Sequence, residues 1–236
     1  MTCQISAICF DAVSPSTLAG FWAGLLVRRI AEEAGGALLP GDDTQVGLRF
    51  LTGSPRWKGE HRRLHLHLTS EGPTGQQETV AAALRLGARH LDVGQRPDEG
   101  HIVLADPEDN EFCVIEAGNN FLAGCGLLGE VSCDGTRAVG HFWSAALGWP
   151  LVWDQDEETA VQSPSGGTKV SWGGPPLTPK THPNQQRYDL TPTVPGGHRS
   201  EIDRLVSLGA TVLTPGEHGT TVLADPDGNE FRLLTP

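Results

Sequence analysis

Leu104-Ala105-Asp106-Pro107-Glu108-Asp109-Asn110-Glu111-Phe112 returns 119 residues later as Leu223-Ala224-Asp225-Pro226-Asp227-Gly228-Asn229-Glu230-Phe231, with seven of nine positions identical. Self-similarity at a fixed offset is the signature of a duplicated unit. Working outward, Leu86-Gly87-Ala88 returns as Leu208-Gly209-Ala210 and Phe21-Trp22 as Phe142-Trp143, in the same order and at offsets of 122 and 121. Two copies fill the 236 residues with almost no linker, and residues 119–126 are the expected joint. The motif itself reads as a turn: Asp at its first position, Pro at the next, Asn or Gly later.

One copy contains two strand–helix–strand units. Residues 3–10 are apolar and β-prone. Ser14-Pro15 opens a helix, Ser as cap and Pro in the first turn. Leu18, Phe21, Trp22, Leu25 and Leu26 then recur at helical spacing. Residues 46–52 read as a strand, and Leu64-His65-Leu66-His67-Leu68 alternates at period two. A second helix over 76–86 stops at Gly87, and two strands flank the Asp-Pro turn. The expectation is an α+β chain of four such units, roughly 3–60, 62–118, 126–180 and 185–236, grouped as modules 1–118 and 126–236.

The formal charge of −12, from 17 basic and 29 acidic residues, disfavours phosphate backbones and anionic lipid, so neither nucleic acid nor a membrane is the expected partner. No apolar run reaches the ~18 residues of a membrane span. The N-terminal residues carry no basic-then-apolar signal, and five cysteines without a C-x-x-C pair fit reduced thiols. A cytoplasmic protein, monomer or homodimer, that meets a small-molecule ligand is the expectation.

The Asp-Pro-x-Gly-Asn turn, the Phe-Trp helix, the Leu-Gly-Ala helix end and the His65-Leu66-His67-Leu68 strand together resemble the glyoxalase / bleomycin-resistance / extradiol-dioxygenase superfamily, also called vicinal oxygen chelate, and within it the glyoxalase-like domains. The resemblance covers both copies. It implies tandem modules, each made of two βαβββ units forming a curved half-open barrel whose concave face holds the ligand. Metal-binding members place ligands on the first strand of each unit and on the final strand. At those positions the first copy offers Ile8, His65 and Cys113, and the second offers Gly129 or Glu130, Arg187 with Asp189, and Arg232. Within either copy the family's full metal set is missing.

Two candidate cavities follow. His65 and His67 share one strand face, Cys113 can join them from a neighbouring strand, and His101 and Trp57 stand nearby in sequence. Imidazole and thiolate suit a borderline divalent metal such as zinc; the expectation is no metal, and His65, His67 and Cys113 if one binds. His65 is also the candidate acid–base group, because a neutral imidazole works near pH 7. Arg187, Asp189 and Arg232 have the same parity in the second copy. They read either as a carboxylate-binding pair of guanidiniums or as a salt-bridged cluster that fills the space. Trp153 and Trp172 are further candidate pocket walls.

Two functions follow from the resemblance: a metal-free binder of an amphipathic small molecule, or a metal-dependent lyase, isomerase, dioxygenase or natural-product-modifying enzyme. The first copy is the expected seat of the working cavity.

Overall fold

Four βαβββ units follow one another along the chain. The computed structural model describes residues 2–54, 62–96, 98–214 and 219–235. The first unit comprises β1 (Cys3–Ala12), α1 (Pro15–Leu26), β2 (Ala31–Glu33), β3 (Gly36–Leu39) and β4 (Leu48–Thr52). The second comprises β5 (Leu64–Leu68), α2 (Gly75–Leu86), β6 (Arg89–His90), β7 (Ile102–Ala105) and β8 (Glu111–Val114). The third comprises β9 (Leu128–Cys133), α3 (Arg137–Leu147), β10 (Leu151–Gln155), β11 (Glu158–Gln162) and β12 (Lys169–Trp172). The fourth comprises β13 (Gln186–Pro192), α4 (His198–Ser207), β14 (Thr211–Thr214), β15 (Thr220–Ala224) and β16 (Glu230–Leu234).

The periodicities land where they point. Helix α1 buries Leu18, Phe21, Trp22, Leu25 and Leu26 on one face. Strand β5 buries Leu64, Leu66 and Leu68 and turns His65 and His67 to the other side. Gly87 ends α2 with φ 109°, a left-handed conformation that favours glycine.

The strands form two eight-stranded sheets, and the pairing crosses the duplication. One sheet runs β14-β15-β16-β13-β1-β4-β3-β2, joining the fourth unit to the first. The other runs β10-β11-β12-β9-β5-β8-β7-β6, joining the third to the second. Each sheet is thus a curved, half-open cup of two βαβββ units, one from each half of the chain. At the seams, β1 pairs antiparallel with β13 and β5 with β9. The cavity expected to belong to residues 1–118 alone is therefore shared with the second half. A register is written in the alternation of a strand, but the identity of its partner is not.

What holds the two units of one half together is the repeated Asp-Pro turn. The Asp106 carboxylate accepts hydrogen bonds from the Glu108 and Asn110 backbone amides of its own turn, and from Trp22 Nε1 at 3.0 Å. Asp225 does the same for Asp227 and Asn229, and accepts from Trp143 Nε1 at 3.3 Å. The residue two places on reaches the preceding unit's helix: Glu108 accepts from the amides of Val13 and Ser14 at 2.8 and 2.7 Å, and Asp227 from that of Thr136 at 2.6 Å. A carboxylate there satisfies orphan amides and opposes the positive end of the helix. Ser14, expected to cap α1 itself, makes no side-chain cap.

Behind the clasp lies one continuous apolar core drawn from both halves. Trp22 meets Phe112 with ring centroids 5.1 Å apart, and Trp143 meets Phe231 at 5.0 Å. Trp172 stacks on Trp143 at 6.4 Å and is fully buried, so it belongs to this core and walls no pocket.

Candidate functional site

The concave face of the second sheet collects polar side chains from four adjacent strands. Strand β5 supplies His65 and His67. In register with His67 stand Cys113 of β8 on one side and Glu130 of β9 on the other. Ser132 faces His65, and Ser171 of β12 faces Ser132. Donor atoms of His65, His67 and Cys113 all lie within 4.8 Å of one another, the one His/Cys/carboxylate group among the described residues that meets the spacing of a metal site. His67 Nδ1 is 2.6 Å from Glu130 Oε2, and Glu130 Oε1 accepts from the Ser171 hydroxyl. Cys113 and Glu130 are 3 % and 6 % exposed, so this is a built floor rather than a solvated surface.

The two histidines titrate in opposite directions. Burial pushes His65 down to about 4, helped by the neighbouring His67, so at neutral pH it is an uncharged imidazole. Burial acts on His67 too, but its contacts with Cys113 and with the Glu130 carboxylate outweigh it and hold the ring up at about 10. Glu130, despite burial, is held below the usual range by His67 and Ser171. The Glu130–His67 contact occupies Nδ1 and leaves Nε2 of that ring for another partner, the usual way a carboxylate orients a ligating histidine. His65 has no hydrogen-bonding partner among the described residues, and its ring stands 4.8 Å from that of His67.

The joint between the halves closes one end of this cup. Leu122 and Cys125 pack with Val103, Cys113 and Ile115. Phe121 lies 4.3 Å beneath Lys169 Nζ, which donates to the Phe121 carbonyl, and meets Trp153 edge-on at 6.2 Å. His101, just before β7, is half-buried and contributes charge to the environment of His65, but stands outside the donor group. Trp57 lies outside the described residues.

The first sheet presents a different floor. Asp189 of β13 is completely buried and holds two guanidiniums, Arg232 of β16 through both oxygens at 2.6 and 2.5 Å and Arg49 of β4 at 2.5 Å. Arg49 also pairs with Glu33 at 2.8 Å, and Arg232 Nη2 reaches Cys9 Sγ at 3.2 Å. Arg187 forks onto Asp11 of β1 at 2.9 and 2.5 Å, not onto Asp189. Of Arg187, Asp189 and Arg232, only the last two pair with each other; Arg187 takes Asp11 instead, and Arg49 and Glu33 of the first half extend the network. Arg49, Arg187 and Arg232 thus face Glu33, Asp11 and Asp189 on this floor.

A glyoxalase-like domain matches residues 7–115 and 130–234. The chain belongs to the glyoxalase-like domain family. Solved structures agree on the architecture of this glyoxalase-like protein. Glyoxalase I from Zea mays matches with a TM-score of 0.63 and 11% identity, covering 99% of this chain and 92% of that one. A Bacillus subtilis protein provisionally described as a dioxygenase matches with a TM-score of 0.66 and 12% identity, covering 98% and 84%. At such identities the likeness is one of fold. None of the curated proteins compared with the chain matches it.

The residue that sequence reasoning weighed and left aside is Glu130. Judged within its own half it had no histidines to serve; across the sheet seam it stands beside His67. Its signal is a carboxylate on the strand Leu128-Gly129-Glu130-Val131, where an unpartnered charge is costly to bury. Asp11, Glu33 and Arg49 left no comparable mark, since acidic and basic residues near strand ends are ordinary. No helix among the described residues is long and apolar enough to cross a membrane.

Proposed function

We propose that the cup of the second sheet is the working site of this glyoxalase-like protein, and that it takes a divalent metal of the zinc class on His65, His67 and Cys113 beneath a small-molecule ligand. The observation that carries the reading is the convergence of those three donors, with Glu130 supplying from the other half the carboxylate that was missing within the first. Two imidazoles and a thiol suit a borderline cation, and three protein ligands leave a position open for a ligand oxygen. When bound, such an ion supplies Lewis-acid polarisation of adjacent substrate oxygens, the chemistry of lyases, isomerases and dioxygenases.

The chain's own residues have separable tasks. Glu130, anchored by Ser171, fixes the rotation of the His67 ring. His65, uncharged at neutral pH, can ligate without first losing a proton. Phe121, Leu122 and Trp153 give the cup an apolar end against which a ligand body can pack.

A second reading rests on the 2.6 Å contact of His67 with Glu130, which is a complete ion pair in the absence of any metal. In that case the floor binds an amphipathic molecule by hydrogen bonding and shape alone, with His65 as acceptor or general base. Elemental analysis of protein purified without chelator separates the two. Near-stoichiometric metal, lost from Cys113→Ser and His65→Ala, supports the first. Metal-free protein whose Trp fluorescence still responds to small amphipathic compounds supports the second.

A further inference from the structure

The other cup has a feature that neutralised ion pairs alone do not account for. A cavity of about 630 Å3 opens over the guanidinium floor, walled by Arg187, Arg232, Thr214, Thr220, Val222 and Glu230. That volume lies within the range of small-molecule sites. We propose that this cup is a second ligand site, for a small zwitterion carrying a carboxylate and an ammonium group on a short apolar body.

The carboxylate end is set by Arg232. Its Nε and Nη2 are spent on Asp189 and Cys9, which leaves Nη1 without a partner among the described residues. A guanidinium carries five N–H donors and cannot be deprotonated, so the two on Nη1 are a fixed anion-binding fork edge. Arg187 engages Asp11 and the Asn184 carbonyl through Nη1 and Nη2, and its Nε is likewise uncommitted among the described residues.

The ammonium end follows from charge balance. Among the described residues, Arg49, Arg187 and Arg232 are matched by Glu33, Asp11 and Asp189, and Glu230 is matched by Lys180 at 2.5 Å. A ligand with net charge of either sign would unbalance a partly desolvated floor, where unpaired charge is expensive. A zwitterion does not. Asp11 and Glu230, both lining the cavity, have carboxylate lone pairs beyond those their arginine and lysine partners use. Val222, Pro183, Thr214 and Thr220 line the same cavity and leave room for a short apolar body. Nothing here depends on His65, His67 or Cys113, so this site stands or falls apart from the metal reading.

The test is a titration of the full chain with the twenty amino acids, in pools and then singly, followed by amide NMR. For any that binds, the matched carboxylic acid and the matched amine are titrated too. At least one amino acid is expected to shift amides of β15 and β16, and its one-charge analogues to bind about tenfold or more weakly. Val222→Trp, opposite Arg232 on the neighbouring strand, fills the cavity while keeping every ion-pairing residue and is expected to abolish binding at a little-changed melting temperature. Arg232→Gln is expected to abolish it too, and should it fail to fold, the Val222 variant decides. The proposal is overturned if no amino acid binds at about 10 mM, if an amine binds as well as its amino acid, or if binding survives Val222→Trp.

Discussion

The two cups have the same strand order and the same seam, yet their floors do opposite things with charge. Where one places His65, His67, Cys113 and Ser171, the other places Arg187, Asp189, Arg232 and Arg49 at matching registers. A guanidinium keeps its proton at any working pH and must be answered by an anion, so the arginine floor closes on itself in pairs. An imidazole can be neutral, and His65 is, so the histidine floor keeps donor atoms to offer. One duplication, followed by substitutions at these registers, separates a floor of neutral donors suited to a cation from a floor of paired charges whose remaining N–H groups suit a carboxylate.

Variants at matched positions should therefore cost very different amounts. The largest loss is expected for Asp189→Ala, which leaves Arg232 without a carboxylate and Arg49 with Glu33 alone beside a fully buried gap; about 3–5 kcal/mol is expected by chemical denaturation. A loss below ~1 kcal/mol would mean that water already reaches the pair, and the contrast between the cups would shrink.

Next comes Glu130→Gln, the carboxylate of the other floor. His67 can shed its proton once that partner is gone, so about 1–3 kcal/mol is expected, together with a roughly 10–100-fold loss of zinc affinity. If metal affinity were unchanged while stability fell, Glu130 would be a packing residue and the orienting role would be wrong.

His65→Ala sharpens the contrast at its functional end. A side chain with no hydrogen-bonding partner among the described residues should cost less than ~1 kcal/mol of stability, while abolishing metal or ligand binding. The opposite pattern, a collapsed melting temperature with binding intact, would place the working site elsewhere.

The last contrast is one of pH. In metal-free protein, His67 holds its proton to about 10, so the stability its ion pair lends is complete below the ordinary histidine value of 6.5 and is lost as pH rises through about 10. Glu130 is held low, so its share is present above the ordinary 4.5 and is lost as pH falls. His65, depressed to about 4, favours the folded state above 6.5 and ceases to as pH falls through that lower value. Imidazole NMR on protein with assigned histidines should show His67 charged at pH 8 and His65 neutral at pH 5.5. Two ordinary titrations near 6.5 would refute the arrangement. The arginine floor should show no titration over the same range.

Much of this was legible in the residues. The Asp106 and Asp225 turns marked the duplication, and the structure shows why they recur: each is the clasp between a helix and the next unit's hairpin. The alternation of Leu64 to Leu68 put both histidines on one face, and Cys113 arrived beside them as parity required. What could not be read was which half would complete each sheet. Strand pairing between distant segments is decided by packing of the whole core, and Leu66 of β5 is as apolar a neighbour for Val131 as for any strand of its own half. That one unknown hid Glu130 from His67 and Asp11 from Arg187.

The most direct test of the central claim, that only the histidine floor coordinates a metal, is a cobalt(II) titration of the metal-stripped chain followed by absorbance. One equivalent is expected to bind with a thiolate-to-cobalt charge-transfer band, absent in Cys113→Ser and unchanged in Val222→Trp. No binding, or a site that persists in Cys113→Ser, would contradict the account.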